Sequence, residues 1–162
     1  MLKREGFLKK DNVKIENNFK RGVEGPMVHS HTKITPFLMF EGQAEEAMNY
    51  YVSIFDHSEI INVQYYGPNE SGEEGTILQA TFSLNGQEFM CIDSSVKHEF
   101  SFTPAISFYL NCGTEEEITL AYDWLSQGGS VMMPLASYPF SEKFAWVRDK
   151  FGVTWQLNLV KN

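Results

Sequence analysis

Regular alternation of apolar and polar positions begins at Ile34. The stretch ITPFLMF predicts a buried strand, and after Gly42 the apolar residues recur at the spacing of a helix. EIINVQYY, TILQATFSL and QEFMCID predict three more strands, and a polar, glycine-rich loop separates the first two of them. Asn85-Gly86 joins the last two and is the pair typical of a two-residue hairpin turn. This half of the chain is therefore predicted to form a βαβββ unit.

The same order of elements returns in the second half of the chain. AISFYLN predicts a strand, Thr114 and Glu117 have the spacing of a helix capping box, and Gly128-Gly129 ends the helix. Strands are then predicted at SVMMPL, KFAWVR and TWQLNLV, with SYPFSE and DKFG as connections.

An offset of 71 residues superimposes FLMFEGQAEEAMNYY on FYLNCGTEEEITLAYD, with Gly42 on Gly113. Repetition of this kind indicates an internal duplication. We therefore predict an α+β fold in which tandem βαβββ modules form a curved mixed sheet with a cleft. The predicted boundaries are a basic N-terminal extension at residues 1–33 and a single domain at 34–160, with modules at 34–93 and 104–160.

Charge is distributed unevenly along the 162 residues, which carry a net charge of −8. Residues 1–33 contain eight Lys/Arg against four Asp/Glu, whereas residues 34–162 contain five against seventeen. A body this acidic repels phosphate backbones, so we expect no nucleic acid partner. The basic arm is interpreted as a solvated segment, with a partner-binding tail as the alternative. No apolar run is long enough to cross a bilayer and the first residues lack a secretory signal, so we expect no membrane partner and a cytoplasmic location.

Cysteine and histidine usage gives little sign of metal or thiol chemistry. Cys91 and Cys112 lie in apolar, strand-like contexts and are interpreted as inert core thiols. His29 and His31 form an HxH pair on the basic arm, which is interpreted as two solvated imidazoles rather than a surface metal clip.

Three stretches carry a resemblance to a known family: PFLMFEGQAEEAMNYY, LNGQEFMCID and MPLASYPFSEKFAWVRDKFGVTWQL. With the tandem βαβββ pattern, they resemble the vicinal oxygen chelate superfamily, which includes glyoxalase I, bleomycin resistance proteins and extradiol dioxygenases. Within it they look like the PhnB-like branch, whose members often bear the name 3-demethylubiquinone-9 3-methyltransferase. The resemblance covers about residues 34–160, and its closing motif DxFGVxWQ is fairly specific for this branch.

The resemblance implies four positions that hold a metal ion in other members of the superfamily. Here they fall on Pro36, Met90, Ser107 and Gln156, and the first-strand pair could shift by one residue. Catalytic divalent metals prefer imidazole, carboxylate or thiolate ligands, so neither a metal ion nor another cofactor is expected. The methyltransferase name finds little support, because no glycine-rich loop of the kind that binds a nucleotide-type methyl donor is present.

The cleft residues follow from the predicted strand registers. If Leu84 pairs with Gln87, Met90 shares a face with Gln79, Thr81 and Ile92. If DKFG is a four-residue loop that pairs Arg148 with Val153, Gln156 shares a face with Ala145, Val147 and Thr154, and the opposite face carries Trp146 and Trp155. The ligand-binding residues predicted in this way are Gln156, Ser107, Thr154, Gln79 and Met90. A purely structural role for the Gln156 amide is the alternative.

Three further residues are weaker candidates. Tyr138 and Phe140 lie in the loop at residues 135–144 and could form a lid over the ligand, with a hydrophobic plug or a dimer contact as the alternative. Asp93 ends the fourth strand and matches a strand-end acid of the family, although such a carboxylate is usually a cap or a loop anchor.

The sequence therefore favours a metal-independent PhnB-like protein that binds a small, partly apolar molecule, either to sequester it or to transform it. The alternatives are a metal-dependent glyoxalase or dioxygenase-type enzyme, a methyltransferase, and a non-catalytic interaction module whose cavity is filled by its own side chains. Relatives generally form homodimers, and open strand edges give a physical reason for pairing, so a homodimer is expected.

Overall fold

The computed structural model of the protein describes residues 34–160, and the predicted N-terminal extension with His29 and His31 lies outside them. Within this range, two helices and eight strands follow one another in the predicted order. Their bounds are β1 (Phe37–Phe40), α1 (Ala44–Ile54), β2 (Glu59–Tyr65), β3 (Ile77–Leu84), β4 (Gln87–Asp93), β5 (Phe108–Cys112), α2 (Glu115–Ser126), β6 (Ser130–Tyr138), β7 (Ser141–Arg148) and β8 (Thr154–Leu159). No helix within the described range is long and apolar enough to span a membrane.

Each βαβββ unit forms its own four-stranded mixed sheet. The strand orders are β1-β4-β3-β2 and β5-β8-β7-β6. In both sheets the first strand pairs in parallel with the last, and the other pairs are antiparallel. A parallel pair needs a long crossover, which the helix and the two intervening strands supply in each unit. The predicted duplication and α+β fold class are confirmed.

The core lies on the helix-facing side of the two sheets. Helix α1 buries Ala47, Met48 and Tyr51 among others, and α2 buries Ile118 and Leu125. Alternate residues of β4 and β8, the last strand of each unit, belong to the same core, as the two-residue period of a strand requires.

Both cysteines belong to this core, as predicted for inert thiols. Cys91 and Cys112 are free and fully buried. Burial raises the pKa of each thiol to about 12, and the nearby carboxylates of Asp93 and Glu117 add to the respective shifts. Neither group forms a thiolate at neutral pH, so neither can act as a nucleophile there.

The two helices are capped in different ways. Helix α2 has the predicted capping box, in which Thr114 Oγ1 accepts from the Glu117 N–H at 3.1 Å and Glu117 Oε2 accepts from the Thr114 N–H at 3.3 Å. The amino end of α1 is capped by Asp93, whose Oδ1 accepts from the N–H groups of Gly42 at 2.7 Å and Ala44 at 3.0 Å. Asp93 Oδ2 also accepts from the Ile77 N–H at 3.0 Å, so this carboxylate holds a helix and two strands together.

The turn between β7 and β8 is one residue shorter than predicted. Arg148 pairs with Thr154, not with Val153, because the Asp149 N–H donates to Val153 O at 2.8 Å and leaves only Lys150, Phe151 and Gly152 in the loop. Gly152 has φ +90°, the left-handed conformation that a three-residue hairpin loop needs at its last position.

This change moves side chains to the opposite faces of β7. Trp146 lies beside Gln156, whereas Ala145 and Val147 are fully buried in the core with Trp155. The prediction that Ala145 and Val147 share the Gln156 face is therefore wrong, and Trp146 takes their place. The predicted pairing of Leu84 with Gln87 is confirmed.

Two smaller corrections concern the strand ends. Strand β6 continues to Tyr138, so the predicted loop SYPFSE reduces to Pro139 and Phe140. In the first strands, the neighbours of Met90 and Gln156 are Phe37 and Tyr109 rather than Pro36 and Ser107. In the first sheet this is the alternative register, shifted by one residue, whereas in the second sheet the shift is two residues and the predicted register is wrong.

Candidate functional site

The Gln156 face is the surface of the second sheet that points away from α2. Gln156 lies at its middle, with Tyr109 of β5 on one side and Trp146 of β7 on the other. Because strand side chains alternate, Phe144 and Arg148 share this face with Trp146. The amide that the sequence singled out is therefore flanked by two aromatic rings.

Hydroxyl groups occupy the end of this face near Arg148. Thr154 Oγ1 donates to Ile106 O at 2.6 Å, so its single proton is already used. Ser107 Oγ lies 3.1 Å from Thr154 Oγ1 and must be the donor in that pair. The structure thus brings the predicted residues Ser107 and Thr154 into direct contact, next to Gln156 along β8.

Aromatic rings occupy the other end of the Gln156 face. Tyr138 and Phe140 are stacked with ring centroids 5.6 Å apart, and Phe144 meets the Phe140 ring edge-on at 5.1 Å. The ring centroid of Tyr109 lies 6.5 Å from that of Phe144, so Tyr109 connects this cluster to the neighbourhood of Gln156. Phe140 remains 66% exposed at the tip of the hairpin.

Two buried polar atoms on this face have no hydrogen-bond partner among residues 34–160: Trp146 Nε1 and Arg148 Nε. A buried N–H without a partner costs about 1–3 kcal/mol, so each of these groups calls for an explanation, and a bound molecule that supplies an acceptor is one. Both atoms belong to the row of β7 side chains that passes Gln156.

The corresponding face of the first sheet holds the other predicted contacts. Met90 lies between Phe37 and Thr81, and Gln79 is exposed one step further along β3. Gln79 faces Gln64 of the neighbouring strand. Met90 and Gln79 are thus on one surface, as predicted, but on a different sheet from Gln156.

Asp93 belongs to neither face. It is 3% exposed, and its carboxylate accepts the three backbone hydrogen bonds described above. The hydroxyl of Tyr66 additionally donates to Asp93 O at 3.4 Å. These contacts fit the cap and anchor that sequence reasoning gave as the usual role of such a residue.

A cavity of about 360 Å³ lies at the carboxyl end of β1, against the linker between the modules. Its lining includes five phenylalanines: Phe37, Phe40, Phe100, Phe102 and Phe151. Two of the lining residues bond to each other, since the His98 N–H donates to Glu41 Oε1 at 2.9 Å, and the His98 ring has a further partner, because Nε2 lies 2.8 Å from Ser94 Oγ. Of the predicted ligand-binding residues, none lines this cavity.

Comparison with known proteins gives the family. The family model described as 3-demethylubiquinone-9 3-methyltransferase matches residues 32–158. The chain belongs to this family. A PhnB protein from Bacillus cereus is 62% identical, with a TM-score of 0.78 over 79% of this chain and 99% of the other. Protein YjdN of Escherichia coli K12 is 23% identical over 141 residues, which are 79% of this chain and 95% of YjdN.

More distant structures show the fold alone. A glyoxylase/bleomycin resistance protein/dioxygenase domain from Frankia sp. EAN1pec is 13% identical, with a TM-score of 0.57 over 80% of this chain and 92% of that domain. The protein is thus PhnB-like, as the sequence motifs indicated, and it shares its fold with this domain, as the resemblance to the vicinal oxygen chelate superfamily implied.

The metal ion used elsewhere in that superfamily does not fit the residues of this PhnB-like chain. The positions to compare with the metal ligands are Met90 of β4 and Gln156 of β8, together with their neighbours Phe37 of β1 and Tyr109 of β5. They offer two apolar or weakly donating side chains, a phenol and an amide, where a catalytic divalent metal takes imidazole, carboxylate or thiolate. Over residues 34–160, no cluster of three or more His, Cys, Asp or Glu side chains could hold an ion.

The methyl donor implied by the family description also lacks a matching site. Such donors bind at a glycine-rich loop where a parallel, doubly wound sheet changes strand order. Each sheet here has a single parallel pair at one edge, and the turn after β1 is held by Asp93 rather than left open for a ligand.

Sequence reasoning missed Trp146, Arg148 and Tyr109 on the Gln156 face. The first two were placed on the wrong face by a predicted loop one residue too long, and Tyr109 was missed because the predicted register of β5 was two residues off. One signal was present in the sequence: Arg148 is the single arginine after residue 33, in a chain segment dominated by carboxylates.

Proposed function

We propose that this PhnB-like protein binds a small, partly apolar molecule on the Gln156 face, without a metal ion, either to sequester it or to transform it. From the predicted set, Gln156, Ser107 and Thr154 would contact the ligand there. Tyr138 and Phe140 would cover its apolar part, and Met90 and Gln79 remain proposed contacts from the first sheet.

The observation that carries this proposal is the buried indole N–H of Trp146, which lies beside Gln156 and finds no hydrogen-bond partner within the described range. Small-molecule sites are usually built from aromatic and apolar walls with a few polar groups directed at the ligand. The Gln156 face has that composition, because a cluster of four rings adjoins one amide and two hydroxyl groups. A ligand acceptor atom at Trp146 Nε1 would satisfy the indole.

The test is equilibrium binding of small aromatic amides and acids to the purified full chain, followed by the thermal shift and by the indole resonances in nitrogen-15 spectra. We expect a rise in Tm, since a ligand that binds only the folded state stabilises it. The Trp146 indole resonance should move on titration. Gln156→Ala should weaken binding about tenfold, as loss of a buried hydrogen bond does. Gln127→Ala, at the exposed end of α2, is the matched control and should bind normally.

The alternatives give different results in the same experiment. A metal-dependent enzyme would lose binding with a chelator and contain stoichiometric metal on elemental analysis. A methyltransferase would show a thermal shift with a sulfonium methyl donor. If no small molecule shifts the Trp146 resonance, a non-catalytic interaction module is favoured and the proposal fails.

A further inference from the structure

Arg148 stands at the end of β7 on the same face as Trp146 and Gln156. Its Nε is buried and has no hydrogen-bond partner in the part of the chain that the structure describes. In the described part of the chain it is the single arginine, and no salt bridge of Arg148 is found there. A guanidinium group whose N–H is removed from water needs an acceptor, and an anion satisfies it best.

The acid next to it in sequence is not that anion. Asp149 points to the other side of the strand, where its two carboxylate oxygens accept from Tyr51, Trp155 and two backbone N–H groups. Those four bonds leave no oxygen directed at the guanidinium.

Unlike Arg148, the two lysines nearest to it in the sequence form ion pairs within the described residues. Lys143 pairs with Glu115 at 2.9 Å, and Lys150 pairs with Glu46 at 2.6 Å. Both partners are helix residues, Glu115 of α2 and Glu46 of α1, and not residues of the Gln156 face. Arg148 is therefore the cation of this strand that is left for a ligand.

The groups on the Gln156 face are ordered along β7. Phe144, with Tyr109 beside it, forms an aromatic end, and Arg148 forms a cationic end four residues away. At a strand rise of 3.3 Å per residue, the two ends are separated by roughly 13 Å. Trp146 and Gln156 lie between them and offer uncharged hydrogen bonds. This gradient matches a molecule with an aromatic body and an acidic group at one end.

We propose that Arg148 binds an oxyanion of the ligand, a carboxylate or a chemically similar acidic group, while the aromatic part of the ligand packs against Tyr109 and Phe144. The planar guanidinium can bond such a group with two parallel N–H donors. This inference rests on the proposed function, and it restricts the ligand to small aromatic or apolar acids. Because the chain carries a net charge of −8, its overall field does not attract anions, so selectivity for the acid comes from the local contact.

The test compares naphthoate with its uncharged isostere naphthamide in the full-length protein. Wild type should bind naphthoate at least tenfold more tightly, since a hydrogen bond to a charged group is worth about 1.5–3 kcal/mol. Arg148→Met keeps the apolar stem and should remove this preference while leaving naphthamide affinity within about twofold. Arg148→Lys should restore part of the preference. Lys143→Met removes a positive charge from the other face of the same strand and should retain the full preference.

The possible results distinguish a failure of the Arg148 contact from a failure of the proposed binding function. If wild type binds both compounds equally, the role of Arg148 is overturned and the binding function stands. If neither compound binds, both fall. Should Arg148→Met fail to fold, as judged by urea unfolding, wild-type spectra still decide. The Arg148 Nε–H resonance must shift with naphthoate and stay in place with naphthamide, and a shift with both or with neither contradicts the proposal.

Discussion

At the scale of single residues, Asp149 explains why the closing motif of the chain has its form. Its Oδ1 accepts from the N–H groups of Phe151 at 2.9 Å and Val153 at 3.0 Å, which shapes the turn. Its Oδ2 accepts from Tyr51 Oη at 2.7 Å and Trp155 Nε1 at 2.9 Å, which joins α1 of the first module to β8 of the second. Burial raises the pKa of Tyr51 well above 10.0, so the phenol stays protonated and keeps donating.

We predict that Asp149→Asn lowers the free energy of unfolding at neutral pH by about 1–3 kcal/mol, because one amide hydrogen must then face a donor and leave it unsatisfied. Burial also raises the pKa of Asp149 above its ordinary 3.8, despite the hydrogen bonds that lower it. The folded state therefore binds a proton at Asp149 more readily than the unfolded state does. The stabilisation that this proton gives is lost as the pH rises through the raised pKa of the folded state. The stability difference between wild type and variant should grow as pH is lowered from 7 towards 4.

Urea unfolding at a series of pH values measures this difference. Asp123→Asn, on the exposed side of α2, is the control and should be close to wild type throughout. A difference between wild type and Asp149→Asn that shrinks on acidification would contradict the assigned cost of burying the carboxylate.

At the scale of elements, the amino ends of the two helices show that the duplicated modules no longer share the same cap. The repeat superimposes Gly42 on Gly113, yet the two helices are capped by residues in different places. Asp93 caps α1 from the neighbouring strand β4, whereas Thr114 caps α2 from the position directly before the helix. A local cap can be read from sequence, because its two residues are three positions apart. The cap of α1 spans 49 to 51 positions, and only the parallel pairing of β1 with β4 brings it into place.

We predict unequal costs for the two caps. Thr114→Ala should lower the free energy of unfolding by about 1 kcal/mol, the usual cost of losing an N-cap. Asp93→Ala leaves three backbone N–H groups without acceptors and should cost at least 3 kcal/mol. Chemical denaturation measures both, and naphthamide binding by the folded fraction of Asp93→Ala should be unchanged. A specific loss of binding would instead return Asp93 to the site.

The same scale shows where sequence reasoning succeeded and where it could not. Asn85-Gly86 allows one loop length, so the pairing of Leu84 with Gln87 and the face of Met90 were predictable. DKFG allows loops of three or four residues, and the choice depends on how Asp149 binds the turn. A change of one residue turns every side chain of β7 to the other face, which is why Trp146 and Arg148 were misplaced. The element order and the fold do not depend on that residue, so they were predicted correctly.

At the scale of the whole molecule, the two sheets remain separate, and among the described residues β1 and β5 each have one edge without a strand partner. Apolar side chains are exposed on these strands and next to them: Phe37 is 53% exposed, Tyr109 is 56% exposed, and Ile106, two residues before β5, is 70% exposed. Open strand edges bearing apolar residues promote pairing with another chain. Natural proteins usually protect such edges, and a second copy of this chain would do so here.

We therefore predict a homodimer that covers the edges of β1 and β5. Sedimentation equilibrium should give twice the mass of one chain. The double variant Phe37→Glu/Ile106→Glu should sediment as a monomer, because each charge would have to be buried without a partner. Ile61→Glu places the same charge on β2, at the opposite edge of the first sheet, where the side chain is 43% exposed. This control should remain dimeric, and a monomer in the control together with an intact dimer in the double variant would assign the interface to the outer edge.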